Sequence, residues 1–220
     1  MTKMETFTEV PYEAEAIEKF LSFCDRRTLP KKYIVFRSGD IADTLYYIVD
    51  GSVSVVSTDE EGKDVVLSYL NKGEFIGEIG LFYESTTRNV TVRAKADLEL
   101  AQIKYDKLKQ LFKDELKDFH AQILHAVGLQ LSQRLIKTSR NVARLALMDV
   151  SGRIAKTLMD LCEEPEAMSH PKGTQIHISR KELANLVGCA REVVGRVLKK
   201  MTEDGLLEIN GMDIVVIHDR

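Results

Sequence analysis

The sequence predicts an α+β chain: an antiparallel β domain, then a long helix, then a small C-terminal domain built on a winged helix-turn-helix. Three observations predict it. Residues 33–103 hold short runs rich in Val, Ile and Tyr, broken by turn pairs. Residues 106–150 hold no proline and a single glycine, Gly128. Residues 179–217 bring a helix cap, a small residue, a turn glycine and a hairpin signal into one unit.

The N-terminal stretch Ala14-Glu15-Ala16-Ile17-Glu18-Lys19-Phe20-Leu21 reads as a short helix packed by Ile17, Phe20 and Leu21. In the β region, residues 45–49, Asp50-Gly51 and residues 52–56 have the pattern of a hairpin, because Asp-Gly tolerates the positive φ of a tight turn. Glu61-Gly62 separates that pair from a strand at 64–70, and residues 90–93 and 98–103 continue the series. Strands at this spacing suggest a compact antiparallel barrel or sandwich.

In the helix that follows, Leu124, Gly128, Leu131, Leu135, Thr138, Val142 and Leu145 form an uncharged seam spaced four and three, the pattern a two-stranded coiled coil uses. A helix packed on its own domain is the alternative. A homodimer is the preferred reading, because the seam outlasts what a small barrel could cover. Residues 149–162 continue helical and stop before Glu163-Glu164-Pro165, and residues 165–173, with two prolines, read as a loop. The expected domains are 1–147 and 148–220.

Composition excludes several classes of function. A membrane span needs about 18 consecutive apolar residues, and the longest run here is near residues 45–49. The start, Met1-Thr2-Lys3-Met4-Glu5, leads into no apolar segment of a secretory signal. Cys24, Cys162 and Cys189 are too few and too far apart for a disulfide framework or a CxxC metal site, so a cytosolic chain without metal is expected. A net charge of −3 argues against a uniformly basic, histone-like binder but leaves room for a local basic patch. The histidines at 120, 125, 170, 177 and 218 include no His-Glu-x-x-His pair, and there is no Gly-x-Ser-x-Gly or phosphate-loop motif. No catalytic residue is expected.

Two constellations carry chemistry. In the first, Ser179 opens a capping box with Glu182, Ala184 lets a second helix cross closely, and Gly188 supplies the turn. On the second helix Arg191, Glu192, Arg196 and Lys199 share one sector and Val193, Val194, Val197 and Leu198 the other. Arginine bonds both acceptors of guanine and a carboxylate accepts from cytosine, so Arg191 suits a base edge, while Lys199 suits phosphate. Residues 206–217, turning at Asn210-Gly211, supply the wing. In the second, the glycines of Gly73-Glu74-Phe75-Ile76-Gly77-Glu78-Ile79-Gly80 let backbone amides approach an anion, and Arg88 can clamp it. Glu78 would repel a bare phosphate, but it suits an anion that also carries a sugar hydroxyl.

With these motifs in hand, the chain resembles the cyclic AMP receptor protein (catabolite activator protein) family over nearly its whole length from about Phe20. The resemblance is densest over residues 45–81 and 164–198, with Pro165-Glu166-Ala167-Met168-Ser169-His170-Pro171 and Val187-Gly188-Cys189-Ala190-Arg191-Glu192 specific to the family. It implies an N-terminal β-roll that binds a cyclic nucleotide, a dimerising helix and a winged helix-turn-helix. It further implies that Gly77 and Glu78 hold the phosphate region and ribose hydroxyl, that Arg88 pairs with the cyclic phosphate, and that Asn89, Arg134, Thr138 and Ser139 belong to the ligand site. Thr138 would contact the base; that would satisfy a hydroxyl whose burial unpaired costs about 1–3 kcal/mol. Ser139 would reach the ligand of the other subunit.

On the DNA side the resemblance implies that Arg191, Glu192 and Arg196 read a palindrome with TGTGA-like half-sites. Ser179 and Arg180 would lie near the DNA backbone. Ala167, Met168, Ser169 and His170 would form a surface touching RNA polymerase. Two departures stand out: Asn89 replaces the usual serine, and Ala190 replaces the serine before Arg191. A branch from plant-pathogenic bacteria, similar over residues 75–85, carries Glu after that arginine and responds to cyclic di-GMP. Because Asn89 is uncharged and able to donate to phosphate, cyclic AMP is the expected ligand and cyclic di-GMP the alternative. A cyclic-nucleotide-binding regulatory subunit of an enzyme is the rival from another class.

Overall fold

The computed structural model describes residues 11–217 apart from 61, 63, 84, 85 and 165, so the chain start, Glu61, Ser85, Pro165 and His218 lie outside the described residues. The chain divides into two compact units, one running to Thr58 and from Leu67 to Lys137, the other comprising Asp59–Val66 and Thr138 onward.

Along the N-terminal part of the chain α1 (Pro11–Leu21) precedes β1 (Asp25–Leu29), β2 (Ile34–Phe36), β3 (Thr44–Asp50), β4 (Ser52–Thr58), β5 (Asp64–Asn71) and β6 (Phe75–Ile76). Then come the single turn α2 (Ile79–Phe82), β7 (Thr91–Ala94), β8 (Leu98–Lys104) and α3 (Tyr105–Leu111). The strands form two four-stranded sheets, ordered β1-β8-β3-β6 and β2-β7-β4-β5. The uninterrupted apolar run of β3 follows from its place between two cores. Leu45 and Tyr47 pack with Phe20, Phe75 and Leu108 on the helical side, whereas Ile48 packs with Val53, Val92 and Leu100 between the sheets. Burying one such side chain contributes about 1.5–3 kcal/mol.

The hairpin expected at Asp50-Gly51 is not one. β3 and β4 lie in different sheets, and the turn carries the chain from one sheet to the other. Gly51 has φ +89°, and a Cβ there would sit 2.3 Å from the Asp97 carbonyl oxygen, so the corner needs glycine for room as well as for its dihedral. β1, absent from the sequence reading, pairs with β8 as an exposed edge strand of polar residues.

The long helix is also shorter than the absence of proline allowed. Beyond α3 the chain turns through residues 112–116 and a 3-10 turn at Lys117–Phe119 before α4 (His120–Leu147). Leu111 and Leu116 are both buried in the helical-side core. On one continuous helix, residues five apart would point about 140° from each other, so burying both in one core requires the break.

In the second unit the C-terminal part of α4 leads to α5 (Val150–Cys162), whose N-cap Asp149 accepts from the Gly152 amide at 2.8 Å. β9 (Met168–His170), β10 (Gly173–His177), α6 (Arg180–Val187), α7 (Arg191–Glu203), β11 (Leu207–Asn210) and β12 (Asp213–Ile217) complete it. The stretch 165–173 is not only a loop: β9 pairs with β10, and β10 pairs with β12, so the wing is half of a sheet ordered β11-β12-β10-β9. The wing turn falls one residue later than Asn-Gly predicts. Asn210 pairs with Asp213, which leaves Gly211, at φ +65°, and Met212 in the turn.

Candidate functional site

Arg88 lies on the loop before β7, fixed by backbone bonds from its amide to the Asp40 carbonyl at 2.7 Å and from the Gly39 amide to its own carbonyl at 2.8 Å. Its side chain runs inward and is 7% exposed. Nη2 donates to the Thr44 carbonyl at 2.5 Å and Nη1 to the Tyr105 hydroxyl at 3.0 Å, while the guanidinium carbon sits 4.5 Å from the Phe36 ring centroid. Nε is buried with no partner, a donor left unsatisfied by the chain itself. Tyr105 in turn donates to the Gly77 carbonyl at 2.5 Å. Burial, opposed by the Arg88 charge, pushes the Tyr105 phenol up from its ordinary value, so it keeps its proton for that bond.

Two of the glycines are explained by this cluster. A Cβ on Gly77, which has φ +83°, would lie 2.5 Å from Arg88 Nη1, and a Cβ on Gly80 would lie 2.6 Å from the Tyr105 ring. Gly80 therefore makes room for Tyr105, and its amide donates to the Gly77 carbonyl at 3.2 Å. Glu78 is 3% exposed and paired with Arg134 of α4, whose Nη1 donates to Oε1 at 2.5 Å. Arg134 Nη2 also donates to the Phe75 carbonyl at 2.6 Å and approaches Glu74 at 3.4 Å. One turn earlier on α4, Gln130 accepts from the Phe75 amide at 2.8 Å and donates to the Phe75 carbonyl at 2.9 Å.

The second constellation forms as its local signals require. Ser179 Oγ accepts from the Glu182 amide at 3.1 Å, and Gly188 ends α6 in the left-handed conformation with its amide on the Ala184 carbonyl. Leu183, Ala184, Val187, Val194 and Leu198 form the core between α6 and α7. Arg191, Glu192, Arg196 and Lys199 stand exposed on the opposite side of α7. A concave face lined by Ser179, Arg180, Arg191 and Lys199 on the helices and by Gly211 and Met212 on the wing runs beside them. A basic helix face beside a wing is the shape that enters a major groove.

Residues 26–115 match the cyclic nucleotide-binding domain and residues 152–220 the Crp-like helix-turn-helix domain. The CRP-like protein Clp of Xanthomonas euvesicatoria pv. vesicatoria (strain 85-10) is 51% identical over 208 residues, covering 94% of this chain and 90% of that protein. The chain belongs to the CRP family of DNA-binding transcription regulators. The solved structure of CLP from Xanthomonas campestris, described as a c-di-GMP responsive global regulator, superposes with a TM-score of 0.89 at 51% identity over 94% of this chain and all of that one. A CRP/FNR-family regulator from Thermus thermophilus shares the fold, with a TM-score of 0.73 at 24% identity, covering 88% of this chain and 94% of that one.

Of the residues that the CRP resemblance nominates for the ligand, the structure brings Gly77, Glu78, Arg88 and Arg134 together within the first unit. Asn89 is exposed beside Arg88, and Thr138 and Ser139 stand exposed on the part of α4 assigned to the second unit. Along the seam, Leu124 and Leu131 are half-buried, whereas Leu135 is 68% exposed and Val142 and Leu145 are also open. The face of α4 turned to its own core is a different one, Ile123, Val127 and Gln130. Of residues 167–170, Ala167 packs against the C-terminal core and Met168 and Ser169 are exposed.

Sequence reasoning missed Tyr105 and Gln130. Gln130 did carry a signal, as a polar residue at the third place of the spacing 123, 127, 130; Tyr105 carried none. The three cysteines are free thiols. Among the described residues no cluster of His, Cys, Asp or Glu is placed to hold a metal, and no helix is long and apolar enough to cross a membrane.

Proposed function

We propose that this chain is a homodimeric regulator that binds palindromic promoter DNA, and that cyclic di-GMP controls it. The ligand assignment reverses the expectation of cyclic AMP. Both ligands are cyclic phosphodiesters on ribose, so Gly77, Glu78, Arg88 and Arg134 suit either and do not discriminate. The observation that carries the assignment is the 51% identity, over 94% of the chain, to a Xanthomonas campestris regulator described as c-di-GMP responsive. Cyclic AMP is the second reading, favoured by the uncharged Asn89 in place of that branch's glutamate.

In this reading the phosphate completes the Arg88 guanidinium and a ribose hydroxyl competes with Arg134 for Glu78. Thr138 and Ser139 take the outer part of the ligand. The exposed seam at Leu135, Val142 and Leu145, continuing Leu124 and Leu131, pairs with its copy to form the dimer, which sets two α7 helices in successive major grooves about 34 Å apart. Arg191, Glu192 and Arg196 read TGTGA-like half-sites, while Ser179, Arg180 and Lys199 meet the phosphates. Residues 167–170 offer a contact to RNA polymerase. Residue 147 ends the ligand-binding and dimerising domain, and 148–220 is the reading domain.

Calorimetry with cyclic AMP, cyclic GMP and cyclic di-GMP, followed by operator titration with and without each, tests the proposal. Cyclic di-GMP is expected to bind and to change operator affinity. Binding of cyclic AMP alone would establish the second reading, and an operator affinity indifferent to all three would overturn ligand control.

A further inference from the structure

Ile123, Val127 and Gln130 are the buried residues of α4, spaced as an apolar stripe on one helix face. A primary amide in the third place is tolerated only where its hydrogen bonds are made. Gln130 makes them with one residue: the Phe75 amide donates to Oε1, and Nε2 donates to the Phe75 carbonyl. Phe75 belongs to β6, the two-residue edge strand of its sheet. The glutamine amide thus adds to that edge as the peptide of a further strand would. Gly77 and Glu78 follow β6 directly.

We infer that Gln130 is the positioning residue that couples the ligand-binding loop to α4. This rests on the reading of Gly77, Glu78 and Arg88 as the ligand site. Arg134 cannot be that coupling by itself. It shares the Phe75 carbonyl with Gln130, but its partner Glu78 is the carboxylate for which a ligand hydroxyl competes, so its guanidinium shifts with occupancy. The two hydrogen bonds of the Gln130 amide go to the backbone of Phe75, one residue outside the sequence 76–78, so they persist when the ligand enters. A displacement of residues 76–78 is then passed to α4 at position 130. The displacement thereby enters the helix that carries the exposed seam, beginning at Leu135 one turn beyond Gln130.

The test uses the full-length protein with cyclic di-GMP and cyclic AMP as probes, and compares wild type, Gln130→Met and Gln130→Glu. Methionine keeps the length of the side chain and makes neither bond; glutamate still accepts from the Phe75 amide but no longer donates to its carbonyl. Calorimetry gives ligand affinity, and fluorescence anisotropy gives the ratio of operator affinities with and without saturating ligand. The expected result is a ligand affinity within about threefold of wild type, an operator ratio near one in Gln130→Met, and an intermediate ratio in Gln130→Glu. A wild-type ratio in Gln130→Met overturns the inference, as does a loss of ligand binding in parallel with the ratio, which would place Gln130 in the binding site.

Hydrogen exchange at the Phe75 amide of the wild type keeps the inference falsifiable should the variants misfold. Protection is expected in both the free and the bound protein, and loss of protection on binding overturns it. A ratio of one in the wild type with every probe would instead overturn the ligand reading beneath it.

Discussion

Removing the Tyr105 hydroxyl tests whether the cluster around Arg88 is held by that one group. In Tyr105→Phe the Gly77 carbonyl loses its shorter donor and keeps only the Gly80 amide at 3.2 Å, while Arg88 Nη1 loses its acceptor. Tyr105 is 6% exposed, so water does not readily replace either partner. A buried polar group left unsatisfied costs about 1–3 kcal/mol, and a loss of about 2 kcal/mol is expected here. For a chain of this size that corresponds to about 4–8 °C of Tm. A guanidinium no longer oriented should also weaken cyclic di-GMP binding by about tenfold to a hundredfold, or about 1.4–2.8 kcal/mol. Gly80→Ala drives a Cβ to 2.6 Å from the same ring, and it should produce the same pair of losses. Both variants disturb that hydroxyl, and the Gly80→Ala contact with the ring persists in the double variant, so the double penalty should fall short of the sum of the two single ones.

pH supplies an independent check on the same hydroxyl. Burial raises the Tyr105 pKa, so the folded chain holds the phenol proton more tightly than the unfolded chain does. The stability linked to this is full below about pH 10 and is lost as pH rises through the raised folded value. Tyr105→Phe should remove that alkaline slope. Calorimetric melts and ligand titrations read all of these effects. Wild-type Tm and affinity in both single variants, or penalties that add in the double, would refute the reasoning.

Four further outcomes are expected. Ser179→Ala removes the acceptor for the Glu182 amide and should cost the C-terminal unit about 1 kcal/mol in denaturant titration. Arg191→Ala should relax discrimination at one guanine of the half-site by about 1–3 kcal/mol; equal losses on every sequence would mark a phosphate contact instead. Leu135→Glu places a charge on an exposed seam position, so helicity should persist while sedimentation shows a monomer, and an intact dimer would remove Leu135 from the interface. Burial pushes the Cys24 thiol up to about 12, against the opposing charges of Lys107 and Arg26. Only about one Cys24 in 10⁴ is then thiolate at pH 8, and peptide mapping after brief alkylation should find it unmodified.

The helix-turn-helix was legible because its signals are local. The cap, Ala184, Gly188 and the two-sided α7 lie within a few turns of one another, and each does in the structure what its residue type suggests. The sheets were legible as strands but not as pairings. Asp50-Gly51 has the chemistry of a hairpin turn, yet what decides its role is the approach of Asp97, 46 residues away in sequence, a contact that turn propensity does not encode. β1 was hidden because Asp25, Arg26 and Arg27 lie on an exposed edge and show no buried alternation. The bonded cluster proposed as the ligand site was half legible. Gly77, Glu78 and Arg88 announced themselves by type, whereas Tyr105 and Gln130 act on Gly77 and Phe75, 28 and 55 residues away in sequence.

The buried polar residues among those described are Thr44, Ser52, Glu78, Arg88 and Gln130. All but Ser52 belong to one bonded group around residues 75–78: Thr44 receives Arg88, Glu78 receives Arg134, and Gln130 clasps Phe75. Apolar residues in these places would spare the desolvation of a carboxylate and a guanidinium, so stability alone does not account for the arrangement. With donors left over, Arg88 Nε and Arg134 Nε, and a carboxylate tied to a helix rather than to its own loop, the proposed ligand reading gives this buried network two ways of being satisfied. One is the set of bonds made by the chain itself. The other is a set in which an anion completes Arg88 and a hydroxyl competes with Arg134 for Glu78. An element that exchanges between two such sets at comparable free energy is what a ligand needs in order to shift a conformational equilibrium. The helix that supplies Arg134 and Gln130 is the one that carries the exposed seam, so an exchange of hydrogen bonds at the loop is also a change in the forces on the helix proposed to pair with its copy.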